Sequence, residues 1–566
     1  MPKQLALLLW AAVLTVMLGA AAAAVDPPRE GIDLDRGLAA HWPLAGDAQD
    51  RSGHGHHAAI RGNVDFTAEA STSRPPRGAA FNGRDAYLEI QSVDSWRLGK
   101  GDFSLTTWVH TEGSTSDVPG DLISQYDPVL RRGVHLTIKT NAGVASSQAN
   151  YRQLQFGVDD NQTNKWADCG RPGEAILAFA LVAHDGELYA GTCEPLAGQA
   201  GHVYRYAGDA RWVDCGSPAP CNAVTAMAVF EGRLYAGVGK YRLAGSSLVE
   251  SPNANLGGRV YRYEGDSRWT DCGPLSGTEA VGGMVVFRGR LYASSLYKPA
   301  GFFRYEGDAS WRNCPTPEGK RVEALGVYNG FLYATSYDGG HVYRFDGEDW
   351  TDCGQLGDPQ ENTQTYSFAV YGGRLYVGTW RSGRVYRFDD VNQWTDVGRL
   401  GEELEVMGML VHNGRLLAGT LPLAEVYEYD GRTAWRRLAQ LDNTPDVRYR
   451  RAWTMAEHGG QLFCSTLPSG KIFATAVGTS AAWEREFPPG WQHVAAIKRD
   501  GNLRLYVAGQ LVGESKSSAA EYDLSSKSPL RIGFGPNDYF CGRMRDVRLY
   551  QRALNTAEIK QLAAGP

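Results

Sequence analysis

The chain carries no surplus of either charge. Its 57 Lys and Arg against 63 Asp and Glu leave a formal charge of −6 over 566 residues, without a basic face or an acidic tail. Binding a phosphate backbone requires clustered cations, so nucleic acid is not an expected partner. Beyond residue 24 no apolar run reaches the ~20 residues that a membrane helix needs. Cysteine is scarce, nine in all. The number is odd, so at least one thiol stays unpaired, and none of the spacings is that of a zinc site. No local His–carboxylate–nucleophile array is visible.

What is abundant is glycine, 68 residues, and aromatic side chains, 11%. Many tight turns between aromatic-rich strands produce that balance. The N-terminus reads differently. Lys3, the apolar run Leu5 to Leu18 and the small residues Ala20 to Ala24 form a secretory signal peptide over residues 1–24. An uncleaved anchor is the alternative. No cysteine follows it, so lipid anchoring is unsupported. The mature protein is expected to be exported, to a periplasm, a cell surface or the medium, with no membrane span after cleavage.

One pattern recurs through the middle of the chain. An apolar strand and a Gly turn precede a Leu-Tyr strand; a loop, a Val-Tyr-Arg-Tyr strand, a Gly-Asp turn and a Trp strand follow. The Leu-Tyr element stands at Leu188, Leu234, Leu291, Leu332 and Leu375, and degrades to Leu416-Leu417 and Leu462-Phe463. The Trp strands hold Trp212, Trp269, Trp311, Trp350, Trp394 and Trp435, spaced 39 to 57 residues apart. Such a repeat marks a β-propeller, here of seven four-stranded blades. A strand at Trp166 precedes the first copy and is expected to pair with the last blade, closing the ring.

Five cysteines, Cys169, Cys215, Cys272, Cys314 and Cys353, stand three residues after a Trp. Equivalent positions in neighbouring blades lie beyond the ~7 Å Cα reach of a disulfide, so these read as small buried residues. Cys193 and Cys221, in loops on one face of the first blade, are the one expected bridge.

The two flanks make sense only together. Before the repeats come His41-Trp42-Pro43-Leu44, Asp50-Arg51-Ser52-Gly53, Phe81-Asn82-Gly83 and Gly101-Asp102-Phe103-Ser104-Leu105-Thr106-Thr107-Trp108-Val109. After them come Trp491-Gln492-His493-Val494-Ala495 and Val547-Arg548-Leu549-Tyr550-Gln551-Arg552-Ala553-Leu554. In this order the motifs resemble the laminin-G-like, concanavalin A-like jelly roll of secreted bacterial proteins. The resemblance covers residues 30–160 and 485–563 and places the propeller, 161–484, inside a surface hairpin of the jelly roll. Insertions are tolerated there when the ends lie close.

The resemblance implies a glycan-recognition module. It carries no glucanase reading, because the Glu-x-Asp-x-Glu strand is missing. It implies a structural Ca2+ held by Asp50 and Ser52, with Asp546 near the C-terminal motif, shifted by one residue from the Asp of relatives. His54, His56 and His57 read as a polar surface turn. In the propeller the turn into the Trp strand is off register from a sialidase Asp-box. The Trp-Thr-Asp fragments lack the Gly-His of WD repeats, and the pattern is closer to kelch-like propellers.

Ligands are expected on the propeller face that carries the longer loops. The opposite face holds short turns such as Glu231-Gly232 and Asn413-Gly414. On the loop face Tyr297, Tyr337 and Trp380 follow successive strand ends, with Asp338 and Arg381 beside them. Tyr366, Arg450, Arg451 and Trp453 lie in neighbouring loops. Aromatic rings with Arg and Asp suit sugar stacking and hydroxyl recognition. The expected protein is all-β, a seven-bladed propeller inserted into a laminin-G-like jelly roll. Its expected role is that of an exported, non-catalytic carbohydrate- or surface-binding protein. The partner is a polysaccharide or glycoconjugate, or another extracellular protein if the chain is an interaction scaffold. A hydrolase or lyase with its site on the loop face is the enzymatic alternative, and it requires a deep pocket with converging carboxylates.

Overall fold

The computed structural model describes residues 32–67, 78–91, 98–114, 117–163 and 165–565. Residues 1–24, where a signal peptide is expected, lie outside them. The fold is all-β. Its one α-helix among the described residues, Thr556–Ala564, is short and C-terminal, and Asn555 and Glu558 close a capping box at its start. No helix among the described residues is long and apolar enough to cross a membrane.

Two sheets combine strands from both flanks. In one, Phe103–Thr111 lies between Cys541–Tyr550 and Gly490–Arg499, with Trp108 opposite His493. The other runs from Ala59–Arg61 through Gly120–Asp127 to a long hairpin, Arg132–Val144 and Ser147–Thr163, and ends on Val477–Trp483. Val477–Trp483, counted above with the repeats, thus pairs with a strand of the first flank. Trp42, Phe81, Phe103, Leu136, Phe156 and Leu549 fill the space between the sheets. Trp42 is fully buried, and its indole N–H finds the His56 carbonyl at 2.8 Å, as a buried ring donor must.

The repeats form seven antiparallel four-stranded meanders. Their inner strands are Leu177–His184, Ala223–Phe230, Val281–Phe287, Val322–Tyr328, Gln364–Tyr371, Glu405–His412 and Arg451–His458. Each inner strand touches the next, and the last touches the first. The seventh meander takes its outer strand from before the first: Ala167–Asp168 pairs with Ile472–Thr475. The strand expected at Trp166 therefore closes the ring.

Repeat chemistry explains why neighbours hold. The Trp212 indole donates to Cys169 O at 2.8 Å, Trp269 to Cys215 O at 2.9 Å, Trp311 to Cys272 O at 2.8 Å and Trp394 to Cys353 O at 2.8 Å. Each bond crosses from one meander to the preceding one. The first crosses the closure itself. In the Trp-x-Asp-Cys-Gly turn the Asp carboxylate accepts from the Gly N–H, as for Asp214, Asp271 and Asp352 at 2.7–2.8 Å. The Gly-Asp turns are type I′ hairpins, with positive φ at Asp209 and Ala210, Asp266 and Ser267, Asp308 and Ala309.

The ring has an axle. The long hairpin of the sandwich, 13 and 17 residues per strand, touches all seven inner strands. Val144 O accepts from Thr454 Oγ1, the Ser146 hydroxyl donates to Thr225 O, the Asn150 amide to Glu457 O and the Gln153 amide to Ala183 O. Its two-residue tip, Ala145-Ser146, is buried in the ring. The short-turn face rests on the sandwich. Gly372 N bonds Pro536 O, Gly373 N bonds Asn537 O, and the Asn413 amide bonds Val158 O. The loop face remains open.

Candidate binding site on the loop face

Every inner strand slips register with its neighbour at one repeat position. The shift falls between Ala178 and Ala180, Val224 and Ala226, Val281 and Met284, Val322 and Leu325, Thr365 and Ser367, Val406 and Met409, and Ala452 and Met455. A bulge re-aims the side chain it frees. The residue nine before each Leu of the Leu-Tyr element sits in that bulge: Phe179, Thr225, Gly282, Glu323, Tyr366, Met407 and Trp453. Four of these, Phe179, Glu323, Tyr366 and Trp453, line a cavity of about 510 Å3. The residue eleven before the Leu supplies three more of its walls: Gln364, Glu405 and Arg451. Strand ends add Tyr241, Tyr297, Tyr337 and Trp380, and Tyr449 completes the rim. The hairpin tip residue Ala145 packs in the apolar cluster of Phe179, Tyr241, Tyr366 and Trp453.

Six of the residues expected from sequence therefore share this cavity: Tyr297, Tyr337, Tyr366, Trp380, Arg451 and Trp453. Three do not line it. Asp338 is held by Arg321 through Nη2 at 2.7 Å and Nε at 3.1 Å, and this pairing keeps its carboxyl below the usual range. Arg450 turns to Thr444 O at 2.9 Å. The Arg381 side chain is exposed.

Glu323 and Glu405 escaped the sequence reading. Their signal was positional: a carboxylate at a repeat position that holds a neutral side chain in most other copies.

The polar groups of the cavity form two chains. The Tyr337 and Tyr366 hydroxyls are bonded to each other, and Tyr366 also bonds the Glu405 carboxyl. Arg451 Nη1 donates to Ser246 Oγ at 2.6 Å, and Ser246 bonds the Tyr241 hydroxyl. The Arg451 guanidinium lies 5.4 Å from the Trp453 ring centroid and 5.5 Å from that of Tyr449. Arg242 stacks on Tyr297 at 4.6 Å.

Burial pushes the Glu405 carboxyl up to about 7, with Arg451 and Tyr366 opposing. Burial and then the Glu405 charge drive Glu323 well above its ordinary range; Arg321 opposes. Four buried atoms here have no hydrogen-bond partner: Glu323 Oε2, Glu405 Oε1, Arg451 Nε and Trp453 Nε1. Orphaned buried polar atoms are rare in proteins and costly, unless a ligand satisfies them.

The sandwich offers less. A cavity of about 390 Å3 beside Trp108, Arg545 and the C-terminal helix is polar at Asp546, but that carboxylate is taken by His41 Nε2 at 2.7 Å and Arg548 Nε at 2.9 Å.

The residues expected to hold Ca2+ are engaged with protein groups. Asp50 accepts from His41 N, Ser52 N, Ser52 Oγ and His56 N, all at 2.8–2.9 Å. Its oxygens organise a turn. Asp546 sits at φ +53° in a bulge, aimed at His41 and Arg548. These residues do not fit a Ca2+ cage, which needs several free oxygens around one point. Among the described residues no three His, Cys, Asp or Glu side chains converge on a metal position. Cys193 and Cys221 are buried and unbridged. Cys193 packs beside Phe179 and Tyr241, while Cys221 joins a different cluster with Val224 and Met227.

Residues 433–560 match the Concanavalin A-like lectin/glucanases superfamily. The match opens near the sixth Trp strand and runs through the seventh meander into the sandwich. The zebrafish (Danio rerio) Adhesion G-protein coupled receptor V1 is 35% identical over 79 residues, 13% of this chain. The chain spans about 1% of that relative's length. Among solved structures, virginiamycin B lyase from Staphylococcus aureus gives a TM-score of 0.44 at 10% identity, over 55% of this chain and 99% of that one. The WD40 β-propeller domain of Doa1 gives 0.40 at 12% identity, over 55% and 97%. Fold likeness at this level says nothing of activity.

Proposed function

We propose that the chain is an exported saccharide-binding protein, a seven-bladed propeller of kelch-like type set into a laminin-G-like jelly roll, with its ligand in the loop-face cavity. Under this reading the domain boundaries fall near 160 and 484, and the sandwich serves as mount as much as module. The observation that carries the reading is the pairing of an aromatic wall with four unpartnered polar atoms. Glu323 and Glu405 ask for donors; Arg451 Nε and Trp453 Nε1 ask for acceptors. A sugar hydroxyl is both at once, and sugar rings stack on Tyr and Trp faces. A cavity of this size falls within the ~300–1,000 Å3 of small-molecule sites.

The test is retention of the purified protein on a panel of immobilised neutral, amino and acidic polysaccharides, repeated with Trp380→Ala and Arg451→Met. Retention that both variants weaken supports the reading. Retention that neither variant changes moves the site elsewhere, and no retention at all sinks it.

A second reading rests on the two carboxyl groups. One is held protonated and the other is poised near neutrality, which is the division of labour a glycosidic acid–base pair requires. Release of new reducing ends, lost in both Glu323→Gln and Glu405→Gln, would establish it. Retention without new ends leaves binding as the role.

A further inference from the structure

The charges of the cavity do not balance. Arg451 donates to Ser246, lies over the Tyr449 and Trp453 rings and favours the ionised form of Glu405. Arg321 is committed to Asp338. Arg242 is committed to Glu279 and to the face of Tyr297. Glu323 is 7% exposed, has one oxygen without a hydrogen-bond partner, and has no ion pair. A lone buried carboxylate is costly, and the group either takes a proton or meets a cation. The cavity Glu323 lines is also walled by Tyr297, Tyr337, Tyr366 and Trp380, with Arg242 over the Tyr297 ring and Arg321 over the Tyr337 ring at 5.1 Å. Aromatic faces near a carboxylate recognise ammonium groups, and among these rings Trp380 is the one left for a ligand's cation.

We propose that the saccharide bound in this cavity carries a free, protonated amine, which pairs with Glu323 on the side of the cavity walled by Trp380. The proposal rests on the saccharide reading and names its substrate class: a de-N-acetylated amino sugar at a chain end or in a short oligomer. The ammonium supplies the missing cation. Its three N–H groups meet Glu323 and the tyrosine hydroxyls, while the sugar hydroxyls reach Glu405, Arg451 Nε and Trp453 Nε1. An N-acetyl group offers no charge and leaves Glu323 unpaired.

This arrangement ties binding to a proton. In the empty cavity burial holds the proton on Glu323. The incoming ammonium favours the ionised form, so the proton leaves as the ligand arrives. The affinity then rises about tenfold per pH unit while Glu323 is protonated before binding and the amine stays charged. A neutral ligand draws no proton from Glu323, and whatever slope Glu405 adds, being pushed up to about 7, it adds for every probe.

Calorimetry on the full mature chain tests this with four probes: a glucosamine trimer, its N-acetylated counterpart, a glucose trimer and choline. Each is run between pH 5.5 and 7.5 in two buffers of different ionisation enthalpy. The expected result is at least tenfold preference for the free amine over both neutral trimers, with about one proton released per ligand. Glu323→Gln removes the preference and the proton release, while weak binding of the neutral trimers persists. Thermal melting of the variant guards against misfolding, and proton release by the wild-type chain is an independent check. Equal or tighter binding of the neutral trimers overturns the proposal and leaves the saccharide reading standing. Choline binding as tightly as the amino trimer overturns the sugar part of both. If no probe binds, the proposal and the saccharide reading fall together.

Discussion

Arg415 holds the Asp159 carboxylate through two hydrogen bonds of 2.8 Å, with both side chains almost fully buried. Asp159 belongs to the sandwich hairpin and Arg415 to the sixth meander, so the pair locks the axle to the ring. Tyr126 adds a bond to the same carboxylate at 3.2 Å. Breaking one side of such a pair strands a buried charge. Arg415→Ala is expected to cost about 3–5 kcal/mol in urea unfolding. The double change Arg415→Met with Asp159→Leu should cost less than the sum of the two single changes. Additive losses would show that the pair does not couple the two parts.

The same interface predicts a glycine that cannot grow. A Cβ on Gly157 would stand 1.9 Å from Asn413 Oδ1 and 2.5 Å from His135 Nε2. Those two side chains bond each other at 2.8 Å, and the Asn413 amide also holds Val158 O and Val477 O. Gly157→Ala is expected to destabilise by about 1–3 kcal/mol, as overpacking does. Adding Asn413→Ala should recover less than half of the loss, because the bonds to Val158 O and Val477 O go with it. Measured denaturation midpoints for the two variants decide the point; a neutral Gly157→Ala would contradict the tight seat.

Glu405 makes stability depend on pH with a definite sign. The folded chain keeps its proton up to about pH 7, while an unfolded Glu releases it near the ordinary value of 4.5. Between these values the folded state binds more protons than the unfolded one, so stability falls as pH rises. The raised group contributes fully below pH 4.5 and has lost its contribution above 7. Glu405→Gln stays neutral throughout. From pH 5 to pH 8 the wild type should therefore lose up to about 3 kcal/mol more than the variant. Parallel pH profiles for the two proteins would remove Glu405 as the cause.

Much of this architecture was written in the repeats. The Leu-Tyr, Val-Tyr-Arg-Tyr and Trp strands are three of the four strands of each meander, and the Trp166 strand announced the closure. The two flanks paired as their motifs implied. The axle was not legible. Of residues 132–163 only Leu154–Val158 reads as a strand, and only the small Gly143, Ala145, Ala149 and Gly157 hint at close approach to another surface. The aromatic part of the cavity was visible because rings after strand ends stand out. Glu323 and Glu405 were not, because each is a single residue on an otherwise apolar strand, Glu323 freed by a bulge that leaves no local pattern and Glu405 at its strand's first position. The calcium expectation carried residue types over from a resemblance. Asp546 bonds His41 and Arg548 from a positive-φ bulge instead, and Asp50 is consumed by its own turn.

The aromatic wall gives the most direct test of the loop-face site, because its rings differ in what else they do. Trp453 is 5% exposed and packs on Phe179 at 4.7 Å between centroids and on Tyr241 at 6.0 Å. Its removal opens a hole in the cluster above the hairpin tip and should lower stability by about 3–5 kcal/mol along with any binding. Trp380 is only partly buried and meets Tyr449 edge-on at 6.2 Å. Its ring is free to stack on a ligand, and stacking contributes about 0.5–1.5 kcal/mol. Trp380→Ala should therefore weaken saccharide binding about two- to tenfold while the melting temperature barely moves. The contrast between the two tryptophans matters more than either value. If both variants lose stability and affinity in step, the rings are packing for the ring mouth and the ligand lies elsewhere. If Trp380→Ala alone separates affinity from stability, the loop-face cavity is where the ligand sits.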